Sequence, residues 1–202
     1  MEGRWYAELE NGVSIRADIN MIADFSLYVG RELSDEELEE LKAAEERLTA
    51  KERALRLLEN RQMSRKELTD KLTRKGESVE AAEAAAELME RVGAIDDREY
   101  ARTVVRHYAR KGYGVGRIKS ELIRRGIDRE LWEEALSEMP ETDDTLDTLI
   151  QNKLRGREPD KNEVKKLTDM LLRRGFSWGE IKGALGRYDE LLETAEDIEE
   201  IE

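Results

Sequence analysis

The chain has 202 residues, of which 41% are charged and 5% aromatic, with a net charge of −13 and no cysteine. That composition excludes disulfides, thiolate catalysis and cysteine-ligated metals, and it predicts thin cores of Leu, Ile, Val and Ala. No apolar run approaches the roughly 20 residues of a membrane span. Met1–Ala7 carries no signal-like apolar region, so a cytoplasmic protein with no membrane partner is expected.

Residues 1–33 differ in texture from the rest. Trp5–Leu9 and Val13–Ile15 flank Glu10-Asn11-Gly12, and Asn-Gly between apolar runs predicts a β-hairpin. A short helix is expected from Asp18 to Val29, closed by Gly30. Ser34-Asp35-Glu36-Glu37 is a capping box that opens a long helix. In that helix Leu41, Leu48 and Leu55 recur every seven residues and read as a packing face.

From Lys51 onward one phrase returns three times: leucine, any residue, arginine, a second cation, glycine. The copies are Leu72–Gly76, Leu122–Gly126 and Leu171–Gly175, with glycines 50 and 49 positions apart. Such a period marks repeated units, each too small to bury its own apolar face. Each unit reads as three helices, with the phrase closing the second. The first holds Ser64–Lys75 and Ser78–Val92 after the long helix ends near Asn60. The second holds Asp97–Lys111, Val115–Arg125 and Arg129–Met139, with Pro140 as a stop. The third, the weakest copy, holds Asp143–Leu154, Asp160–Arg174 and Ser177–Arg187. The apolar pairs Leu68/Leu72, Ile118/Leu122 and Leu167/Leu171 mark one face of each second helix.

The expected fold is mostly α: three tandem three-helix repeats in an elongated curved array, with a small N-terminal β-hairpin and helix extension. The segments are 1–33 (hairpin and short helix), 34–95 (long helix and first repeat), 96–140 (second repeat), 141–188 (third repeat) and 189–202 (acidic tail).

Charge is unevenly spread. Glu32–Glu46 holds eight acids and one lysine, and Asp189–Glu202 eight acids and no base, whereas Ala101–Arg125 holds eight cations and only Glu121 as an acid. The basic middle is the expected anionic-partner surface. Glycine past a helix end with cations in the last turn is first of all a cap, but one cation suffices for that and each copy supplies two. Arg74, Lys75, Arg124, Arg125, Arg173 and Arg174 are therefore candidate contacts. Arg102, Arg106 and Arg110 fall at i, i+4 and i+8 on one helix face, where like charges repel; they point to an external anion unless acids of another helix neutralise them. Lys111, Tyr113, Arg117 and Lys119 surround the glycine-rich turn Gly112–Gly116. The single histidine, His107, has no cysteine or second histidine to work with, and no phosphate-loop signature is present. No catalytic residue, metal or cofactor is expected.

Gly93-Ala94-Ile95-Asp96-Asp97-x-x-Tyr100-Ala101, with Gly112-x-Gly114-x-x-Arg117-Ile118-x-x-Glu121-Leu122-x-x-Arg125-Gly126-Ile127, resembles the RecX family of bacterial regulators of the RecA recombinase. The likeness extends back through Ser64-x-x-Glu67-Leu68-x-x-Lys71-Leu72-x-x-Lys75-Gly76 and covers roughly 51–187. The resemblance implies a non-enzymatic monomer that binds the RecA–single-stranded DNA filament, binds single-stranded DNA weakly alone, and restrains filament growth, ATP hydrolysis and strand exchange. Two other readings stay open: a helix-turn-helix-like DNA-binding regulator and a protein-only helical scaffold.

Overall fold

The computed structural model describes residues 5–140, 143–155 and 160–187; the acidic segment 189–202 and the loop 156–159 lie outside them. The chain divides into two compact units, Met1–Asp96 and Asp97–Glu202.

In the first unit, β1 (Trp5–Glu8) and β2 (Ser14–Ala17) form the expected antiparallel hairpin, with Trp5 opposite Ala17 and Glu8 opposite Ser14. The Asn11 side chain accepts the Val13 N–H at 3.0 Å and closes the turn. Ile15 and Ala17 point into a small core with Met21 and Leu41. Arg16, on the other face, donates its backbone N–H to Glu45 at 2.8 Å and its guanidinium to Glu52 at 2.9 Å, fastening the hairpin to the long helix.

Helix α1 spans Ile19–Asp24, capped by Asp18. It stops well short of Val29, because Ser26 takes a left-handed φ of 48° and the Leu27 N–H reaches back to the Ile22 carbonyl at 2.9 Å. Helix α2 (Asp35–Asn60) opens on the expected Ser34/Glu37 capping box. Its leucine stripe is only partly a packing face: Leu41 is fully buried against the hairpin core, whereas Leu55 is 40% exposed. The second half of α2 packs through Ala50 and Ala54 instead. Ala50 lies nine residues beyond Leu41, half a turn round the helix, so α2 buries one face early and the opposite face late. The partner of that late face is α4 (Val79–Arg91), which presents Ala81, Ala82, Ala85 and Ala86, while α3 (Arg65–Arg74) adds Leu68 and Leu72.

The second unit contains α5 (Asp97–Arg110), α6 (Val115–Arg124), α7 (Trp132–Leu136), α8 (Asp143–Leu154), α9 (Lys161–Arg173) and α10 (Trp178–Leu185). The helix expected over Arg129–Met139 is shorter than its sequence pattern. It begins with a 3-10 turn at Arg129–Leu131, where the Asp128 side chain accepts the Glu130 N–H and the Trp132 indole donates to the Ile127 carbonyl at 3.0 Å. The three apolar pairs Leu68/Leu72, Ile118/Leu122 and Leu167/Leu171 are fully buried, each inside its own core.

The recurring phrase folds identically three times. Gly76, Gly126 and Gly175 have φ of 95°, 66° and 88°. In each copy the N–H of the residue after the glycine donates back to the carbonyl of the phrase's leucine, Leu72, Leu122 or Leu171. The glycine N–H donates to the carbonyl one residue further on. This double closure ends a helix on its third-last residue and needs φ > 0 at the glycine. Ser78, Asp128 and Ser177 then cap the element that follows.

The third copy also joins two repeats. The Gly114 N–H donates to the Arg174 carbonyl and the Gly116 N–H to the Gly175 carbonyl, both at 2.9 Å. A Cβ on Gly114 would lie 2.5 Å from the Gly175 oxygen, and one on Gly175 would collide with the Arg117 backbone nitrogen. The glycine-rich turn is thus the place where two backbones touch. Gly76, by contrast, faces open space. Gly76→Ala should cost about 1–2 kcal/mol for the left-handed site alone, and Gly175→Ala roughly 1–3 kcal/mol more for the forced separation. Urea unfolding of the two variants checks this; equal losses would contradict it.

Candidate anionic-partner interface at the repeat seam

The contact of Gly114 and Gly116 with Gly175 sets the N-terminus of α6 beside the turn between α9 and α10. Arg174, from the third phrase, bridges this seam: its Nη1 donates to the Lys111 and Gly112 carbonyls at 3.1 and 3.0 Å, and its guanidinium lies 5.3 Å from the Tyr113 ring centroid. Tyr113 in turn packs on Tyr108, over which Lys111 sits at 6.0 Å. Arg174 and Tyr113 are therefore structural parts of the seam, half-buried, rather than outward contacts.

Next to them opens a cleft of about 520 Å³ lined by Arg117, Lys119, Ser120, Leu172, Arg173 and Ser177, among others. Lys119 and Arg173 are exposed and have no protein partner among the described residues. Arg117 is held at 3.2 Å by Glu121. Glu121 is the one acid of the basic stretch and is nearly fully buried in the middle of α6. It also takes both donors of Arg124, at 2.9 and 2.6 Å. Burial pushes its carboxyl up, but hydrogen bonds from Arg124 and Tyr108 and the charges of Arg124 and Arg117 outweigh that and hold it below the usual carboxylate range. The same bond, with the Glu121 charge, raises the Arg124 guanidinium. Glu121 thus orients two arginines that face the solvent on successive turns. The spacing Arg117-x-x-x-Glu121-x-x-Arg124 carried this signal in the sequence.

The arginine stripe of α5 meets the second of its two possible fates. Arg102 is paired with Glu134 of α7, with Glu138 just beyond that helix and with Glu99, and Arg106 with Glu99 and Glu138. The hydrogen bond from Arg106, ahead of its charge, draws the Glu99 carboxyl below its usual range, and that from Glu134 raises Arg102. The acids come from α5 itself, from α7 and from the turn after it, so two thirds of the stripe is an internal brace. Arg110 remains exposed, with only its Nε donating to the Arg106 carbonyl. Arg125 donates to the Tyr100 hydroxyl and stacks on that ring at 5.5 Å. In the first unit, Arg74 donates to the Asp70 carbonyl, and the Lys75 side chain stands exposed without a partner while its carbonyl accepts from Arg53. Of the thirteen candidates, then, the seam gathers Lys111, Tyr113, Arg117, Lys119, Arg173 and Arg174.

Among the described residues no group of three or more His, Cys, Asp or Glu is placed to hold a metal ion, and no helix is long and apolar enough to cross a membrane.

A chain with this architecture, helical triplets ended by glycine turns, belongs to the class of mostly α helical-repeat proteins. Family models describing the first, second and third three-helix domains of RecX match residues 50–87, 96–136 and 141–185. Regulatory protein RecX of Stenotrophomonas maltophilia (strain R551-3) is 37% identical over 143 residues, covering 70% of this chain and 87% of that one. Its counterpart in Xanthomonas axonopodis pv. citri (strain 306) is 39% identical over 144 residues, covering 70% and 88%. The fold is shared with the crystal structure of a regulatory protein RecX (TM-score 0.76, 21% identity, 91% of this chain and 93% of that one). It is shared also with RecX from Lactobacillus salivarius (TM-score 0.65, 24% identity, 72% and 98%). The chain belongs to the RecX family.

The Glu121 cluster predicts a pH signature. A carboxylate whose folded pKa lies below its ordinary 4.5 stabilises the fold above that value, and this contribution disappears as the pH falls through the lower, folded value. Glu121→Gln should therefore be less stable than the parent at neutral pH, with a shallower loss on acidification below about 4.5. Thermal melts from pH 7 downward test this, and parallel profiles for the two proteins would contradict it.

Proposed function

We propose that the protein is a non-enzymatic regulator that binds the RecA–single-stranded DNA filament and restrains its growth, its ATP hydrolysis and its strand exchange. The observation that carries the reading is the seam cleft. Lys119 and Arg173 have no partner there among the described residues, and the one acid of the lining, Glu180, is engaged in the cap of α10 by the Ser177 N–H, in a chain whose acids outnumber its Lys and Arg by 48 to 35. Cations left unpaired amid that excess are positioned for anions from outside, and filament DNA offers phosphates at regular spacing. Backbone meets backbone beneath the cleft, so ordering on binding falls on the exposed Lys119 and Arg173 side chains and not on the turn that carries them. Acidic stretches on the same chain weaken its hold on bare DNA and favour a composite target of DNA and recombinase. Family membership supports this reading, since relatives carry the name regulatory protein RecX.

Added to RecA, single-stranded DNA and ATP at stoichiometric dose, the protein should lower steady-state ATP turnover. The Lys119→Ala/Arg173→Ala variant should need a several-fold higher dose and show a salt dependence of binding reduced by about 1.4 in log–log slope, two contacts at ~0.7 each. Unchanged turnover with the parent protein would overturn the proposal.

A further inference from the structure

The first unit carries a second cleft, of about 370 Å³, among α1, α2 and α4. Three of its lining residues are cations: Arg47 and Lys51, one turn apart on α2, and Arg91, the last residue of α4. None of the three has a hydrogen-bond or ion-pair partner among the described residues. Scarcity of acid is not the reason. In the same unit Arg16, Arg31, Arg53 and Arg65 all hold carboxylates. Like charges at i and i+4 repel within a helix, and the C-terminus of α4 satisfies only Arg91. Three unneutralised cations converging on one concavity are the arrangement an anion completes.

The rest of the lining defines the anion. Ala84 and Ala85 line it with no polar side-chain atom, and Phe25, half-buried where α1 ends and packed in part on the hairpin core, lines it as well. An aromatic face beside cations is the pattern that takes a base and its phosphate together. Asp18 is occupied in capping α1, accepting the Met21 N–H at 2.8 Å, which leaves Asp24 as the second acid of the lining and a candidate acceptor for a base N–H. A partner helix, roughly 10–12 Å across with its side chains, is too broad for a concavity of this size.

We infer that this cleft binds single-stranded nucleic acid one nucleotide deep, with phosphate on Arg47, Lys51 and Arg91 and base against Phe25. The inference adds a DNA contact to the filament reading, in a region where the sequence pattern marked none. Its test contains no recombinase, so it can fail while that reading stands.

The experiment measures binding of fluorescent oligo-dT to the full chain by anisotropy across a salt series, for the parent, for Arg47→Ala/Lys51→Ala/Arg91→Ala and for Lys119→Ala/Arg173→Ala. The triple variant should bind at least tenfold more weakly at low salt, and its log–log salt slope should shrink by about 2, three contacts at ~0.7 each. Its melting curve should lie close to the parent's, because relief of the Arg47–Lys51 repulsion offsets the loss of Arg91 at the end of α4. Hydrogen exchange on the parent should show oligo-dT protecting residues 84–91. Unchanged affinity and slope in the triple variant, with no protection at 84–91, would overturn the inference. So would loss of binding to an oligo-glutamate peptide with oligo-dT binding retained, which would make the cleft a protein-docking site. Displacement of oligo-dT by free thymidine monophosphate at equal concentration would also overturn it, in favour of a free-nucleotide site.

Discussion

The carbonyl of a buried leucine, accepting an N–H from beyond a left-handed glycine, is the bond on which the repeat architecture depends. It is made at Leu72, Leu122 and Leu171, and at each site it reverses the chain tightly enough that the next cap, Ser78, Asp128 or Ser177, follows two residues after the glycine. The leucine does two jobs at once, since its side chain is core and its carbonyl is the acceptor. In the second and third copies the residue after the glycine, Ile127 or Phe176, is buried too, so the turn is sealed by an apolar contact as well as by hydrogen bonds. Once the turn is fixed, the residue before the glycine projects from the helix end, and its fate decides what each repeat offers.

Those fates differ, and the differences produce function from a repeated plan. Lys75 is left outside, Arg125 folds onto Tyr100, and Arg174 crosses to the carbonyls of Lys111 and Gly112. Acids are distributed with similar selectivity. Glu134 of α7 and Glu138 in the turn after it cancel most of the α5 stripe, and Glu121 holds Arg117 and Arg124 in place without hiding them. Among the described residues, unpaired cations line two clefts: Lys119 and Arg173 in one, and Arg47, Lys51 and Arg91 in the other. A net charge of −13 spread around such clefts discourages indiscriminate attachment to polyanions while leaving defined points of contact.

Much of this was legible in the sequence, because local chemistry leaves local signatures. The Asn11-Gly12 hairpin, the capping box at Ser34, the helix starts at Ser64 and Ser177, and the glycine helix ends all stand where spacing placed them. The misreadings have one physical cause, which is that tertiary partners are not written locally. Leu55 keeps heptad spacing yet faces out, since the alanine face of α4 draws the second half of α2 round to Ala50 and Ala54. The acids that neutralise Arg102 from outside its helix lie 32 and 36 positions away, on α7 and in the turn after it, and the stripe reads as unopposed until these segments meet. Helix α1 ends at a serine in a conformation that residue seldom adopts, so no glycine marked its end. The unit-one cations Arg47, Lys51 and Arg91 belong to two helices far apart in sequence and form no motif.

The central claim is that the seam of the second and third repeats meets the DNA of the recombinase filament. Because the chain has no cysteine, Lys119→Cys can carry a single photoreactive label, with Glu59→Cys on the exposed end of α2 as a reference position. Irradiation of RecA–single-stranded DNA filaments bound by each labelled protein should cross-link position 119 to the DNA strand and position 59 far less. Equal DNA cross-linking from both positions, or none from position 119 while the protein remains on the filament, would contradict the account.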